Sequence, residues 1–249
     1  MCMACRVRID RLLVERGLFE SRAKAQTAIA AGRVTADDVV VAKPSEEISA
    51  DAILRAEPAH PYVSRGGVKL AAALDHFRFD PMFDPRGRVC LDVGASTGGF
   101  TEVLLARGAR RVYAVDVGRG QLHPSLRGRT EIVSMEATDI RALDPAHLAE
   151  RPDFVVVDTS FISLKLVLPA AFALARTPAY LLALIKPQFE ADRRYAKKGI
   201  VRDPLVHTAV CDDIAAFVRS RGWRVAGVVP SSIPGGDGNH EFFIAADRN

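Results

Sequence analysis

The sequence predicts an α/β protein: a doubly wound domain with a mostly parallel seven-stranded sheet, preceded by a small α+β domain. From Val89 onward, short apolar segments alternate with helix-compatible stretches, and nearly continuous apolar runs are typical of parallel strands covered on both faces. The segment Glu57–Pro61 contains two prolines and little apolar content, as linkers do. We therefore expect two domains, at residues 1–60 and 61–249.

Seven segments are candidates for the strands of the large domain. In chain order they are Val89–Val93, Arg111–Asp116, Glu131–Ser134, Phe154–Asp158, Leu181–Ile185, Trp223–Pro230 and His240–Ala246. The last two are separated by the long loop 231–239 and could form an antiparallel hairpin. The remaining strands are joined through helices and are expected to be parallel.

The small domain is predicted to contain two helices followed by a β element. Asp10–Gly17 ends at a glycine, and Ser21–Gly32 begins at a residue suited to capping a helix N-terminus. The segments Val34–Val41 and Ile48–Ala56 have the composition of short strands.

Composition excludes several classes of protein. With 49% hydrophobic and 26% charged residues, the chain is expected to fold rather than remain disordered. It has no apolar run long enough for a spanning helix and no secretory signal, so we expect a cytoplasmic protein without a membrane partner. Cys2 and Cys5 have metal-ligand spacing, but no second pair completes a zinc site, so we expect free thiols and no metal. The oligomeric state has no signal in the sequence.

The charge distribution is uneven within the small domain. Between residues 6 and 33 there are seven basic and three acidic residues, whereas residues 34–60 contain two basic and six acidic ones. This pattern predicts one basic face, which fits an anionic partner such as nucleic acid. A solvated helix surface has the same pattern, so the charges alone leave both interpretations open.

A glycine-rich segment follows the first strand of the large domain. Its candidate cofactor-binding residues are Asp92, Gly94, Ser96, Thr97, Gly98, Gly99 and Phe100. The spacing matches neither a dinucleotide-binding fingerprint nor a P-loop. Because Asp92 precedes the first glycine, negative charge stands where a phosphate would otherwise bind. A cationic ligand such as S-adenosylmethionine fits better.

Two further carboxylates follow the next strands. Asp116 ends the strand after the glycine loop and could accept hydrogen bonds from both ribose hydroxyls of a nucleoside. Asp139 lies in the following loop and could bind an adenine amino group. The alternative for both is an ordinary capping or loop aspartate.

Charged residues also end two buried strands. Asp158 and Lys186 follow consecutive apolar strands, and the carboxyl ends of such strands build the sites of open α/β sheets. A lysine at such a position is costly in free energy unless its charge or basicity is used.

Five motifs in order carry a resemblance to a known family. They are Val63–Leu70, Asp92–Thr101, Ser160–Ser163, Lys186–Glu190 and Gly238–Phe242. The C-terminal part resembles the FtsJ/RrmJ-type ribose 2′-O-methyltransferases, a Rossmann-like S-adenosylmethionine-dependent fold. The whole chain resembles the TlyA family, in which that domain follows an S4-type RNA-binding domain. The resemblance implies 2′-O-methylation of a cytidine ribose in ribosomal RNA, with a ribosomal subunit or its RNA as partner.

Site residues follow from the resemblance. Its Lys-Asp-Lys-Glu tetrad falls on Lys69, Asp158, Lys186 and Glu241. A ribose hydroxyl is a poor nucleophile, and a lysine beside another cation in a partly desolvated site can take its proton, so Lys186 is the expected base. Asp158 would orient it, while Lys69 and Glu241 would position the ribose. The expected RNA-contacting residues are Arg6, Arg8, Arg11, Arg22, Lys24 and Arg65.

Departures from the family pattern occur after Glu190, where Ala191-Asp192 replaces the usual Val-Gly. The following segment, Arg193–Arg202, contains five basic residues and is interpreted either as a mobile substrate loop or as a solvated loop. Two rival functions stay open beside the enzyme: a non-catalytic RNA-binding protein with a decayed methyltransferase fold, and a membrane-active haemolysin, the label that some relatives carry.

The target subunit is inferred from the end of the chain. Longer TlyA-type members, which act on both ribosomal subunits, carry additional C-terminal helical sequence, whereas this chain ends at Asn249. The resemblance to the shorter members leads us to expect a cytidine in large-subunit RNA as the main target.

Overall fold

The computed structural model describes residues 6–249, and the chain divides between Pro61 and Tyr62 into two compact units. Residues 6–61 form the N-terminal unit, and residues 62–249 form the C-terminal unit. Cys2 and Cys5, predicted to be free thiols, lie outside the described residues.

The N-terminal unit combines two helices with short antiparallel strands. Its elements are β1 (Arg6–Arg8), α1 (Ile9–Glu15), α2 (Arg22–Ala30), β2 (Val34–Ala36), β3 (Val39–Val40), β4 (Glu47–Ser49) and β5 (Leu54–Ala56). Strands β3, β2 and β5 form one sheet, and β1 pairs with β4 in another. As predicted, Ser21 caps α2: its side chain accepts a hydrogen bond from the Lys24 backbone N–H at 3.3 Å. The two helices and β2 enclose a core that includes Ile9, Leu13 and Ile29.

Both predicted strands of this unit are interrupted. Asp37 and Asp38 adopt left-handed backbone conformations, with φ of 49° and 64°, so the chain turns between β2 and β3. The second segment bends after Ser49, and its halves pair with different partners, β4 with β1 and β5 with β2. Strand β1 has three residues, too few for a periodic sequence pattern to reveal.

The C-terminal unit is built on one large sheet. Its strands are β6 (Val89–Val93), β7 (Arg111–Val115), β8 (Ile132–Met135), β9 (Phe154–Val157), β10 (Ala179–Ile185), β13 (Arg224–Pro230) and β14 (Phe242–Arg248), and the short β11 (Ala196–Lys197) and β12 (Ile200–Val201) pair separately. The helices are α3 (Arg65–His76), α4 (Gly99–Ala106), α5 (Leu164–Leu174), α6 (Pro187–Glu190) and α7 (Pro204–Ser220).

The order of strands in the large sheet is β13-β14-β10-β9-β6-β7-β8. Strands β10, β9, β6, β7 and β8 are parallel, while β14 is antiparallel to both of its neighbours, β10 and β13. The predicted mostly parallel, seven-stranded sheet and its terminal hairpin are confirmed.

Alternate side chains of the central strands pack into two separate cores. Leu91, Val155 and Leu181 join the core on one face of the sheet, while Cys90, Val156 and Leu182 join the core on the other. Both faces are therefore buried, which is why the strands read as continuous apolar runs. The charged Asp158 and Lys186 come directly after β9 and β10, at the ends of these buried strands.

The basic segment 193–202 forms a small hairpin from β11 and β12. Its turn, Lys198-Gly199, has φ of 52° and 78°. The buried Asn239 side chain fixes this hairpin, because its Oδ1 accepts from the Val201 N–H and its Nδ2 donates to the Gly199 carbonyl, each at 2.9 Å. Asn239 thus connects the hairpin to the loop that leads into β14.

Candidate active site

A crevice opens at the carboxyl ends of β6, β9 and β10. Here the strand order changes direction, because β7 and β8 lie on one side of β6 and β9 and β10 lie on the other. One cavity of about 380 Å³ is lined by Lys69, Asp158 and Lys186, together with residues of the glycine loop. A second cavity of about 460 Å³ is lined by Asp116, Asp139 and apolar side chains. Both cavities share Gly94, Ser96, Asp158 and Ser160, so they form one continuous crevice.

The four tetrad residues form two ion pairs. Lys69 Nζ on α3 lies 2.5 Å from Glu241 Oε2, and their side chains are only 9% and 3% exposed. Lys186 Nζ lies 2.6 Å from Asp158 Oδ1. Glu241 does not line the cavity itself and reaches it through Lys69. The sequence separation of these residues is large, and the sheet topology brings them together.

A second partner of Lys186 was not predicted from the sequence. Its Nζ donates to the Ser160 hydroxyl at 2.8 Å. Ser160 belongs to the predicted motif Ser160–Ser163, but the motif alone gave it no role. Its position two residues after Asp158, at the same strand end, is the signal that could have identified it.

Close contacts between backbones require two of the glycines. A Cβ at Gly94, where φ is +85°, would lie 2.5 Å from the Asp158 carbonyl oxygen. A Cβ at Gly99 would collide with the Ser64 hydroxyl and lie 2.9 Å from the Gly67 nitrogen. These glycines let the loop approach the strand end that carries Asp158 and the start of the helix that carries Lys69.

The glycine loop faces the cavity with only part of its predicted set. Ser96, Thr97, Gly99 and Phe100 line the crevice together with Gly94. Gly98 does not line either cavity, because its backbone, with φ of +92°, packs against Leu122 and Leu126. A side chain at position 98 would collide with both leucines, so this packing requires glycine.

Asp92 also lies behind the loop rather than on the cavity wall. Its carboxylate is fully buried, and Oδ2 accepts a hydrogen bond from the Thr101 hydroxyl at 2.6 Å. Oδ1 has no partner among the described residues. Burial raises the pKa of Asp92 to about 7. Asp92 therefore does not present an exposed carboxylate at the cavity wall for the expected contact with a cationic ligand.

The second cavity contains the other two predicted carboxylates. Asp116 Oδ2 accepts from the Ser96 N–H at 2.8 Å, and Oδ1 accepts from the Gly118 N–H at 2.7 Å. Asp139 is more fully engaged, since the Arg141 guanidinium and backbone N–H both donate to it. The Arg141 side chain holds the pKa of Asp139 below its usual range. Asp116 thus fixes two loops at the cavity, and Asp139 shares its charge with Arg141.

Glu136 is a carboxylate near this cavity that sequence reasoning missed. It accepts hydrogen bonds from the backbone N–H groups of Gly120, Gln121 and Leu122, at 2.7, 2.7 and 3.1 Å. These bonds fix the loop that includes Gln121, a residue of the cavity wall. A single glutamate after a strand gives no sequence signal for such a role.

Aromatic side chains stand at the rim of the crevice. Phe161 is 91% exposed and has a left-handed backbone, with φ of 64°. Its ring centroid lies 5.0 Å from that of Phe189 on α6. A bulky residue with positive φ is strained, and such strain concentrates at functional sites. The exposed ring offers an apolar surface beside the cavity.

Glu190, at the end of the predicted motif Lys186–Glu190, has a structural role. Its carboxylate accepts from the Ser163 hydroxyl at 2.5 Å and from the Leu164 N–H at 2.7 Å, at the start of α5. Desolvation raises the pKa of this partly buried carboxyl. The contact ties the segment after Lys186 to the segment after Asp158.

The predicted RNA-contacting residues differ in their surroundings. Arg8 and Arg22 both bind the buried Asp10, Arg6 donates to the Glu47 carbonyl at 2.8 Å, and Lys24 pairs with Glu20. Arg11 is exposed and makes no ion pair or hydrogen bond within residues 6–249. In the C-terminal unit, Arg65 lines the crevice and donates to the Pro234 carbonyl at 2.6 Å.

Within residues 6–249, no helix combines the length and apolar character that crossing a bilayer requires. No group of three or more His, Cys, Asp or Glu side chains in that part of the chain is arranged to hold a metal ion.

Comparison with known proteins places both units in described families. Residues 62–248 match the FtsJ-like methyltransferase model, and residues 7–54 match the S4 domain model. The chain is 43% identical to the 16S/23S rRNA (cytidine-2′-O)-methyltransferase TlyA of Mycobacterium tuberculosis, covering 97% of this chain and 90% of that protein. It is 35% identical to the 23S rRNA (cytidine-2′-O)-methyltransferase TlyA of Campylobacter jejuni, over 76% of this chain and 72% of that one.

A solved structure gives a similar result. A Streptococcus thermophilus protein that carries a hemolysin name is 39% identical, with a TM-score of 0.77, covering 99% of this chain and 90% of that one. The fold and the matched model imply S-adenosylmethionine as the methyl donor, as expected from the sequence. With its sheet topology, its N-terminal S4 domain and its similarity to TlyA over most of its length, the chain belongs to the FtsJ-like methyltransferase family, as a TlyA-type rRNA methyltransferase.

Proposed function

We propose that this protein transfers a methyl group from S-adenosylmethionine to the 2′-hydroxyl of a cytidine ribose in ribosomal RNA. The observation that carries the proposal is the pair of lysine–carboxylate contacts at one crevice, Lys69–Glu241 at 2.5 Å and Lys186–Asp158 at 2.6 Å. Keeping Lys69 on α3 and Lys186 at the end of β10 buried costs free energy, and a proton-transfer site gives that arrangement a use.

The residues of the larger cavity fit the methyl donor. Apolar Val115, Ile140 and Val167 offer flat surfaces for an adenine, and Asp116 stands where ribose hydroxyls could replace the backbone N–H donors it now holds. Gly94 allows close approach of a ligand, and behind the loop the buried Asp92 Oδ1 has no hydrogen-bond partner among the described residues. The cofactor, when bound, supplies an activated methyl group on its sulfonium.

Proton removal is assigned to Lys186. Its Nζ lies within hydrogen-bond distance of both Asp158 and Ser160, which fix its direction toward the cavity. Once it has released its own proton, the neutral amine of a lysine so held would accept the proton of the ribose hydroxyl. Lys69, held by Glu241, and Arg65 at the same cavity would position the ribose and its phosphate. Since in-line displacement depends mainly on alignment, rigid ion pairs suit the task.

Recognition of RNA is assigned to two surfaces. The S4 domain model matches the N-terminal unit, whose basic residues suit phosphate contacts. At the crevice, the exposed ring of Phe161 beside Phe189 suits stacking of an unpaired base, the usual way in which proteins hold single-stranded RNA. A ribosomal RNA substrate also implies a cytoplasmic protein.

Large-subunit RNA is proposed as the main target. The names of both TlyA relatives include 23S rRNA, and only one also includes 16S. Purified enzyme should be incubated separately with unmodified large and small subunits, followed by mapping of the methylated nucleotides. Comparable methylation of the small subunit would overturn this choice of target.

The test of catalysis is Lys186→Ala, with Lys43→Ala as the matched control at an exposed lysine in the N-terminal unit. Tritium transfer from labelled cofactor to ribosomal RNA should fall at least about 100-fold in Lys186→Ala, as expected for loss of a general base. Cofactor affinity, measured by calorimetry, should stay within a few fold. Near-normal turnover would exclude Lys186 as the base.

The two rival functions predict different results in the same experiments. A decayed methyltransferase would bind RNA but transfer no tritium in the wild-type protein. A membrane-active haemolysin would release dye from liposomes, and Lys186→Ala would leave that release unchanged. We expect methyl transfer without leakage.

A further inference from the structure

Asp10 is an acidic residue with an unusual position in the N-terminal unit. It lies at the start of α1, and its side chain is fully buried. Arg8 donates to it twice, Nε to Oδ1 and Nη2 to Oδ2, each at 3.1 Å. Arg22 Nη2 and Gln26 Nε2 donate to Oδ2 at 2.7 and 2.9 Å. One buried carboxylate thus gathers donors from β1 and from α2.

The two arginines keep part of their surface for another ligand. Their side chains are 41% and 52% exposed. Three guanidinium nitrogens have no hydrogen-bond acceptor within residues 6–249, namely Nη1 of Arg8 and both Nε and Nη1 of Arg22. Two guanidinium groups on one carboxylate leave a net positive charge, with outward N–H groups in fixed directions.

The contacts of Asp10 favour its ionised form. The Arg8 hydrogen bonds, opposed by desolvation and assisted by Arg22 and Gln26, hold the pKa of Asp10 well below its usual range. The negative charge of Asp10 is therefore constant near neutral pH.

We propose that Arg8, Asp10 and Arg22 form one phosphate-binding clamp, in which Asp10 is the positioning residue that directs both guanidinium groups toward an RNA phosphate. Two free arginines would lose side-chain freedom when they bind, whereas this pair is already ordered in the absence of RNA. The clamp deepens the proposed function, since it rests on RNA being the ligand of the N-terminal unit.

The clamp makes a prediction opposite in sign to simple electrostatics. Asp10→Asn removes a negative charge from a phosphate-binding surface, so Coulomb attraction alone would tighten RNA binding. If Asp10 positions the arginines, the same substitution weakens binding by about tenfold, because the arginines must then be ordered by the RNA. The control is Glu15→Gln, which removes the same charge from an exposed residue of α1 that makes no hydrogen bond or ion pair within residues 6–249. This control should bind RNA as tightly as wild type or more so.

The assay uses the full chain and unmodified large-subunit ribosomal RNA, with dissociation constants measured over a series of salt concentrations. In methyl-transfer kinetics, Asp10→Asn should raise KM for RNA and leave kcat unchanged. The slope of log Kd against log salt should become shallower in Arg8→Gln/Arg22→Gln, which loses the phosphate contacts, and should stay near the wild-type value in Asp10→Asn, which keeps both arginines. A merely structural role would lower the fraction of active protein, and therefore kcat, instead of raising KM alone.

A double-mutant cycle covers the case in which Asp10→Asn loosens the fold. In the Arg8→Gln/Arg22→Gln background, Asp10→Asn should cause no further loss of affinity. An equal loss in that background would show that Asp10 acts through folding and would overturn the clamp. So would unchanged or tighter binding by Asp10→Asn in the wild-type background. If wild-type protein bound no ribosomal RNA, the clamp and the proposed substrate would both be excluded. If wild-type protein methylated the RNA and Asp10→Asn bound it with unchanged affinity, only the clamp would be excluded.

Discussion

The buried Lys69–Glu241 pair allows catalysis and stability to be separated. Both side chains are almost inaccessible, and Nζ lies 2.5 Å from Oε2. Removing one partner of such a pair leaves a buried charge without compensation, which costs about 3–5 kcal/mol. We therefore expect Lys69→Met and Glu241→Met each to lower the free energy of unfolding by that amount.

The double variant should recover most of this loss. Lys69→Met/Glu241→Met leaves no buried charge, and exchanging a buried ion pair for apolar side chains of similar volume is often neutral or stabilising. We expect its unfolding free energy within about 1 kcal/mol of wild type. Methyl transfer should be lost in all three variants, including the stable double variant, because each of them disrupts the Lys69–Glu241 pair that we propose positions the ribose.

Trp223 provides the measurement. It is the single tryptophan of the chain, is buried, and stacks on Phe172, so its fluorescence reports unfolding of the C-terminal unit. With a urea dependence of about 2 kcal/mol per M, the single variants should lower the unfolding midpoint by about 2 M. As a control, Arg110→Met breaks the exposed Arg110–Glu150 pair and should cost less than about 1 kcal/mol. Single variants as stable as this control would refute the reasoning.

Two further predictions concern carboxylates of the crevice. Asp116→Ala should weaken cofactor binding by about 1–3 kcal/mol in calorimetry, since ribose hydrogen bonds to a charged group are lost; unchanged affinity in a folded variant would remove Asp116 from the site. Burial raises the pKa of Asp92 to about 7, so the folded protein keeps a proton that the unfolded chain releases near pH 4. The contribution of Asp92 to the free energy of unfolding therefore falls as pH rises between these two values and stays low above pH 7. Asp92→Asn lacks this loss and should gain about 3 kcal/mol relative to wild type between pH 5 and pH 8, as measured by urea unfolding; a difference independent of pH would contradict a neutral buried Asp92.

The sheet and the location of the crevice could be predicted because they depend on strong, repeated signals. Apolar runs covered on both faces identify the strands, and charged residues at strand ends must meet at one edge. Asp158 and Lys186 follow from this argument alone. Lys69 and Glu241 do not, since nothing local in the sequence pairs a helix residue with one before the last strand; for them the family resemblance was needed.

What the sequence could not reveal is the direction of individual side chains. Asp92 stands between Leu91 and Val93 in a strand buried on both faces, so no alternation of polar residues tells which way it points. Arg8 and Arg22 contribute equally to a charge count whether they face solvent or share Asp10. Tertiary packing decides which of these side chains meet, and a local sequence pattern does not encode that packing.

The position of β14 has a consequence for how the protein is made. This strand is synthesised after the other six of the large sheet, yet it lies between β10 and β13 and pairs with both. Until it emerges from the ribosome, β10 and β13 each have an unpaired edge, a state prone to association with other chains. Glu241, which immediately precedes β14, arrives with it. Premature termination before residue 241 would therefore remove Glu241 and also leave these strand edges unpaired, so we expect such a protein to be both inactive and prone to aggregation.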